Sequence, residues 1–210
     1  MFKSAFRALA ILGAVSSTAL AATPRPTPLD TAVFAGGCFW GVQAVFQHVA
    51  GVVAATSGYA GGTAAKPSYE DVSTGATGHA ESVRVVYDPA RVSYATLLQV
   101  FFSVAHDPTQ LNFQGPDHGT QYRSAIFYTS DTQKAATQDY IAQLTKSGKY
   151  KAPIVTQVAP LKAFFVAESY HQDYATIHPD QPYIMYNDTP KIQALKKQYP
   201  ALWNDKLAGH

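Results

Sequence analysis

Apolar residues recur along the chain in two spacings, which predict strands and helices in alternation. Short apolar or alternating runs predict five strands, at residues 31–35, 52–57, 79–88, 124–128 and 154–158. Apolar positions three or four residues apart predict helices over 38–49, 93–104 and 129–147. The first six elements run β-α-β-β-α-β. This order predicts an α+β fold, a ferredoxin-like sandwich with both helices on one face of a sheet.

Two long polar segments, residues 58–78 and 106–121, interrupt this pattern. Both are rich in glycine and turn-forming polar residues. Long ordered loops in a compact domain usually serve function, so we expect them at the active site. Further on, apolar residues at helical spacing predict a C-terminal helical tail over 188–210, interrupted by Pro200.

The first 22 residues have the order of a secretory signal peptide. Lys3 and Arg7 precede a short apolar run, and Ala-Leu-Ala at 19–21 provides a cleavage site. The apolar run is shorter than the roughly 20 residues that a bilayer requires. A buried N-terminal helix and an uncleaved anchor remain the alternatives. We expect a signal peptide over 1–22, a proline-rich linker over 23–30, one main domain over 31–187, and a periplasmic or secreted location.

Charge excludes two classes of partner once the signal is removed. The chain has 16 basic and 14 acidic residues, and loss of Lys3 and Arg7 leaves 14 of each. A formal charge of zero provides no basic stripe for nucleic acid or for an anionic membrane. We therefore expect neither partner for the mature protein, which we expect to be a monomer.

The chain contains a single cysteine, Cys38. A lone cysteine is either a buried passenger or a thiol kept for reaction. Cys38 follows two glycines at a predicted strand-to-helix turn, where unpaired N–H groups and the positive helix end stabilise a thiolate. This placement predicts a lowered pKa and a reactive thiol. Next come Phe39 and Trp40, which could be core residues or form an apolar pocket suited to a methyl group.

Six motifs, in order and spacing, resemble the A-type peptide-methionine sulfoxide reductases. They are GGCFWG at 36–41, GYAGG at 58–62, PSY at 67–69, GHAE at 78–81, HDPTQ at 106–110 and QGPDHGTQYRS at 114–124. The resemblance covers residues 32–186. It implies thiol-dependent reduction of methionine S-sulfoxide, in peptides and possibly as the free amino acid, without a cofactor.

The resemblance also assigns roles to residues. The implied catalytic residues are Cys38, Glu81, Tyr69 and Tyr122, and the implied substrate-binding residues are Phe39, Trp40, Asp117 and His118. A thiolate attacks sulfur and becomes a sulfenic acid, while an acid, Glu81, protonates the departing oxygen. Two tyrosine hydroxyls bind that oxygen, and Asp117 holds the substrate backbone amide. From the residues alone, Glu81 could equally be a surface charge and Asp117 a loop cap.

Two departures from the family pattern stand out. Phe113 occupies a position where many relatives have arginine, at the rim of the site. Many relatives also carry resolving cysteines near the C-terminus, whereas residues 181–186 follow that region without a thiol. We therefore expect an outside reductant, a thioredoxin-like protein or another thiol, to regenerate Cys38.

Two other functions are compatible with parts of the sequence. A cysteine acyl-transferase or hydrolase would use His79 as a base and Glu81 to orient it. A non-catalytic module for oxidised peptides would leave Cys38 a passenger. A metal site is not expected, because none of the seven histidines forms an i, i+4 pair and one cysteine is too few for a thiolate cage.

Overall fold

A computed structural model describes residues 28–210, so the predicted signal peptide and most of the linker lie outside the described residues. The strands are β1 (Asp30–Gly36), β2 (Val52–Ala60), β3 (Ala80–Tyr87), β4 (Phe113–Gln114), β5 (Asp117–His118), β6 (Ser124–Tyr128), β7 (Gln157–Pro160) and β8 (Phe164–Val166). Six of them form one sheet in the order β7-β6-β1-β3-β2-β8, and β4 and β5 form a separate ribbon. Within the sheet only β6 and β7 pair in parallel. The predicted α+β architecture is confirmed.

Six α-helices accompany these strands within the described part of the chain. They are α1 (Phe39–Gln47), α2 (Tyr69–Ser73), α3 (Tyr94–Val100), α4 (Asp131–Ser147), α5 (Tyr174–Ile177) and α6 (Thr189–Gln198). Two π-helical segments, Phe101–Ala105 and Ile184–Asp188, extend α3 and lead into α6. Ser93 and Ser130 cap α3 and α4 by accepting hydrogen bonds from backbone N–H groups. Because Ser130 is the cap, α4 begins two residues later than predicted.

Alternating side chains on β1 divide the core between the two faces of the sheet. Phe34 points into the larger cluster, with Phe46 of α1 and Phe101 stacked against it at centroid distances of 4.9 Å. Val33 points to the opposite face, where it joins a smaller cluster that includes Phe127 of β6. The sheet is thus buried on both faces, and the first turn of α1 is held over it.

Three segments differ from the sequence prediction. Strand β2 continues to Ala60, into the predicted loop, because its pairing with β3 extends to the start of that strand. The same loop contains α2. The fifth predicted strand is displaced to β7, since the Val155 N–H donates to the Pro108 carbonyl of the second loop instead of joining the sheet.

The C-terminal residues pack onto the domain. Leu195 of α6 is fully buried, and α6 contacts α1. Beyond α6, Trp203 forms a bridge with Val49, and Gly209 forms one with Ala54 at the edge of β2. Between residues 28 and 210, no helix has the length and apolar character needed to cross a membrane.

Candidate active site

The turn between β1 and α1 places Cys38 as the residue that precedes the first helical turn. Gly37 has a φ of +91°, a conformation that residues with a Cβ rarely adopt. A Cβ at Gly37 would also lie 2.6 Å from the Cβ of Gln114. The second glycine of the motif is therefore required both by the turn and by the loop that packs on it, and Cys38 is left only 8% exposed.

Glu81 lies beside Cys38, on β3. Its side chain is buried, and its Oε2 accepts a hydrogen bond of 3.0 Å from the backbone N–H of Phe39. This contact satisfies one of the unpaired donors at the start of α1. Burial raises the pKa of the Glu81 carboxyl to about 8, although the Phe39 N–H acts in the opposite direction. Glu81 therefore holds a proton at neutral pH.

The predicted lowering of the Cys38 pKa is wrong. Burial raises the pKa of the thiol well above its usual range, and the carboxyls of Glu81 and Asp188 add to this rise when they are ionised. The Trp40 N–H and the Lys191 ammonium act in the opposite direction but do not offset burial. The helix end alone would lower the pKa of a thiol. Loops and a segment from the C-terminal part enclose Cys38, and the resulting loss of solvation, which the sequence does not reveal, raises the pKa.

Cys38 and Glu81 open onto a cavity of about 210 Å³. Its lining residues are Cys38, Phe39, Trp40, Tyr69, Glu81, Asp117, Tyr122 and Tyr183. Tyr69 begins α2 in the first long loop, Asp117 lies in the second, and Tyr122, which ends a 3₁₀ turn, directly follows the second, so both predicted loops meet here. Burial and the nearby Glu81 raise the pKa of both phenols, which therefore remain neutral hydrogen-bond donors.

An aromatic wall that the sequence reasoning missed holds Trp40 in place. The Trp40 Nε1–H donates to His171 Nδ1 at 3.1 Å, and the indole stacks on Tyr174 at 3.8 Å. Tyr183 meets the same ring edge-on at 5.9 Å. These residues come from 171–183, far from Trp40 in sequence. The only signal was the density of aromatic residues in that segment.

The structure separates Asp117 and His118, two of the predicted substrate-binding residues. Asp117 lines the cavity and accepts a hydrogen bond from the Tyr183 hydroxyl. His118 is exposed, stacks on Phe113 at 5.4 Å across the β4–β5 ribbon, and is not among the residues that line the cavity. Phe113 and His118 together thus form part of the surface of the ribbon.

A second, smaller cavity of about 150 Å³ adjoins Cys38. Its lining residues are Cys38, Gln114, Gly115, Pro116, Asp117, Tyr183, Tyr186, Asn187 and Lys191. Next to it, the Lys191 ammonium lies 3.1 Å from Oδ1 of Asp188, a fully buried carboxylate. Burial raises the pKa of Asp188, and its Oδ2 has no hydrogen-bond partner among the described residues.

Two further histidines, His79 and His106, make hydrogen-bond contacts with groups outside the two cavities. His79 Nδ1 accepts from the Gly62 N–H, and its Nε2 lies 2.8 Å from the Ala64 carbonyl, so His79 shapes the first loop. His106 is buried and contacts the Phe101 carbonyl and the Ser124 hydroxyl. Across residues 28–210, no group of three potential metal ligands comes together.

Comparison with known proteins agrees with this geometry. Residues 30–203 match the family model described as peptide methionine sulfoxide reductase. A relative from Mesorhizobium japonicum, named peptide methionine sulfoxide reductase MsrA 2, is 62% identical over 177 residues, covering 84% of this chain and 91% of the relative. One from Synechocystis with the same name is 52% identical over 178 residues, covering 85% and 81%.

Two solved structures share the fold. The reduced form of Mxr1 from Saccharomyces cerevisiae aligns with a TM-score of 0.67 at 34% identity, covering 73% of this chain and 87% of that one. Methionine sulfoxide reductase A of Corynebacterium diphtheriae aligns with a TM-score of 0.64 at 34% identity, covering 75% and 83%. The chain therefore belongs to the A-type peptide methionine sulfoxide reductases, the peptide-methionine (S)-S-oxide reductases.

Proposed function

We propose that this enzyme reduces methionine S-sulfoxide at Cys38, with Glu81 as the proton donor. The observation that carries this mechanism is that the Cys38 thiol and the protonated Glu81 carboxyl line one cavity. The backbone N–H of Phe39, the residue after Cys38, donates to Glu81 at 3.0 Å and holds the two groups together. Tyr69 and Tyr122 supply hydroxyl donors for the sulfoxide oxygen. The rings of Phe39 and Trp40 contact the methyl group.

The reaction balances without an added cofactor. The Cys38 sulfur bonds to the sulfoxide sulfur as Glu81 gives its proton to the oxygen, and the proton of the thiol later replaces the one that Glu81 lost. The S–O bond of the substrate breaks as the hydroxyl passes to the Cys38 sulfur, and the transient S–S bond breaks with its electron pair going to the substrate sulfur, which yields methionine and a sulfenic acid. Cys38 is thereby oxidised by two electrons, which the sulfoxide receives.

We infer that an external thiol completes the cycle. The chain has one cysteine, so no second thiol within it can condense with the sulfenic acid. A donor thiolate forms a mixed disulfide, and a second donor thiol releases Cys38 by exchange. A thioredoxin-like protein or a monothiol could act as this donor.

The proposal also includes where the enzyme acts and how its fold is described. The signal-like residues 1–22 support periplasmic or secreted action, in which the substrates are oxidised exported proteins. The antiparallel order β6-β1-β3-β2 supports a ferredoxin-like description, with β7 and β8 added at the two edges.

The acyl-transferase alternative is disfavoured because both nitrogens of His79 contact backbone groups.

Mass spectrometry of enzyme given excess sulfoxide peptide and no reductant tests the mechanism. We expect one methionine released per enzyme and a single oxygen gained at Cys38, trappable by a sulfenic-acid reagent. A Cys38→Ser variant is the matched control and should release none. Two methionines per enzyme, or a Cys38 that remains a free thiol after methionine is released, would contradict the proposed cycle.

A further inference from the structure

Cys38 lies between two cavities of different chemistry. The first, described above, is aromatic and contains Glu81. The second is polar and is lined by loop residues 114–117 and by residues near the start of α6, including Lys191. The hydrogen-bonded pair of Asp117 and Tyr183 lines both cavities.

We propose that the second cavity is the entry site for the reducing thiol. This inference rests on the proposed function, because it concerns the sulfenic acid that the first half-reaction leaves. That reaction places the oxygen on Cys38 toward the cavity that holds Glu81. Displacement at divalent sulfur is collinear, so the attacking sulfur must approach from the side opposite the departing oxygen. Of the two cavities that reach Cys38, the second is the one without Glu81 among its lining residues, and it therefore offers an approach away from the departing oxygen.

The chemistry of this step balances with groups of the enzyme and of the donor thiol. A donor thiol loses its proton to solvent, and its thiolate forms an S–S bond with Cys38. The S–O bond of the sulfenic acid breaks, and the hydroxyl leaves as water with the proton of Glu81. The donor sulfur is oxidised and the Cys38 sulfur is reduced, which gives the mixed disulfide.

The second cavity suits a group of this size and charge. Its volume of about 150 Å³ admits a small thiol or one cysteine side chain presented by a protein. Lys191 is the only cation among its described lining residues. Within residues 28–210 its ammonium has one hydrogen-bond partner, Asp188, which leaves donors for an incoming thiolate. The first cavity has no lysine or arginine among its described lining residues.

Gly115 allows the cavity to be narrowed with little strain elsewhere. It lines the second cavity only, and a Cβ there would meet no heavy atom within 4 Å. Its φ of +56° is one that histidine and asparagine tolerate better than most residues, and Asn112 already adopts a φ of 57° in the same loop. Gly148, at the end of α4, has a φ of +66° and the same open surroundings, so it provides a matched control.

The experiment compares Gly115→His with Gly148→His by stopped-flow kinetics. Each enzyme is first converted to the sulfenic acid with a sulfoxide peptide, and the rate constant for methionine release is recorded. It is then mixed with 2-mercaptoethanol or, in a second arm, with a reduced thioredoxin-like protein. The quantity compared is the rate constant for reaction of the sulfenic acid with the donor thiol, divided by the rate constant for methionine release. We expect this ratio to fall about tenfold or more in Gly115→His and to stay unchanged in Gly148→His.

The outcomes separate the two proposals. An unchanged ratio in Gly115→His for both donors overturns the entry site and leaves the proposed function standing. A fall for one donor alone supports the site and identifies that donor as the one that uses it. Failure of the unmodified enzyme to form a sulfenic acid overturns the proposed function, and the entry site with it.

A second measurement applies even if Gly115→His does not fold. In Lys191→Gln, the rate constant for anionic 3-mercaptopropionate relative to neutral 2-mercaptoethanol, corrected for thiolate fraction, should fall about threefold. Lys191→Arg keeps the charge and should keep the ratio. Because the ratio cancels any general loss of stability, equal ratios in the two variants would count against the site.

Discussion

Glu81 is a carboxyl whose surroundings make it an acid. It is buried on β3, and its one hydrogen bond comes from the first turn of α1. We expect Cys38→Ser to abolish methionine release and Glu81→Gln to slow it about 10²- to 10⁴-fold, since general-acid help is typically of that size. Glutamine preserves the shape and the acceptor for the Phe39 N–H. Single-turnover methionine release measures both effects, and near-full activity of Glu81→Gln at neutral pH would exclude the assigned role.

The pH dependence follows from the same carboxyl. The pKa of Glu81 is raised to about 8, so the donating form is present below that pH and is lost as pH rises through it. The rate constant for methionine release should therefore decline above about pH 8. The proposed step starts from the neutral thiol, and because the pKa of Cys38 lies well above its usual range, the thiol stays protonated through this pH range and does not offset the decline. In Glu81→Gln the decline should be absent; its persistence there would assign it to another group.

At the scale of elements, Asp188 at the start of α6 packs closely against α1 at Gly41. A Cβ on Gly41 would lie 2.0 Å from Oδ1 of Asp188, so this carboxylate is packed directly against α1. The helix itself favours alanine over glycine by about 1 kcal/mol. The clash with a buried, ion-paired group outweighs that preference, since the carboxylate can move only by breaking its contact with Lys191.

We expect Gly41→Ala to lower the free energy of unfolding by about 1 to 3 kcal/mol, measured by urea denaturation. Gly209→Ala is the matched control, because a Cβ there meets only the Val53 carbonyl at 3.9 Å. In an Asp188→Ala background the loss at Gly41 should shrink, as a double-mutant cycle would show. An equal loss in both backgrounds would mean that the contact with Asp188 is not its cause.

For the whole molecule, residues 1–22 bear on where the enzyme acts. The basic, apolar and small-residue order of residues 1–22 leads us to expect export and a mature protein that begins near Ala22 or Thr23. Intact-mass measurement of the protein from the producing cell checks this. A full-length mass in the soluble cytoplasmic fraction would refute export.

The sequence by itself determined the α+β class, the Cys38 turn and the family. Periodicity reports which face of an element is buried, and the two glycines before Cys38 report a turn that only their small size permits. The placement of α2 and β7 was not determined, because short elements are decided by contacts distant in sequence. Strand β7 begins at Gln157 only because Val155 pairs with Pro108 of another loop.

Only the tertiary structure decided the electrostatics of the site and which residues of the C-terminal part complete it. A pKa depends on burial and on charges that converge in space, and Asp188 lies 150 residues beyond Cys38 along the chain. The same holds for the wall of His171 and Tyr174, which positions Trp40 through one hydrogen bond and one stacked ring. Local pattern identifies which residues can react. The enclosure that raises the pKa of Cys38 and protonates Glu81 arises only when the loops and the C-terminal segment close over them.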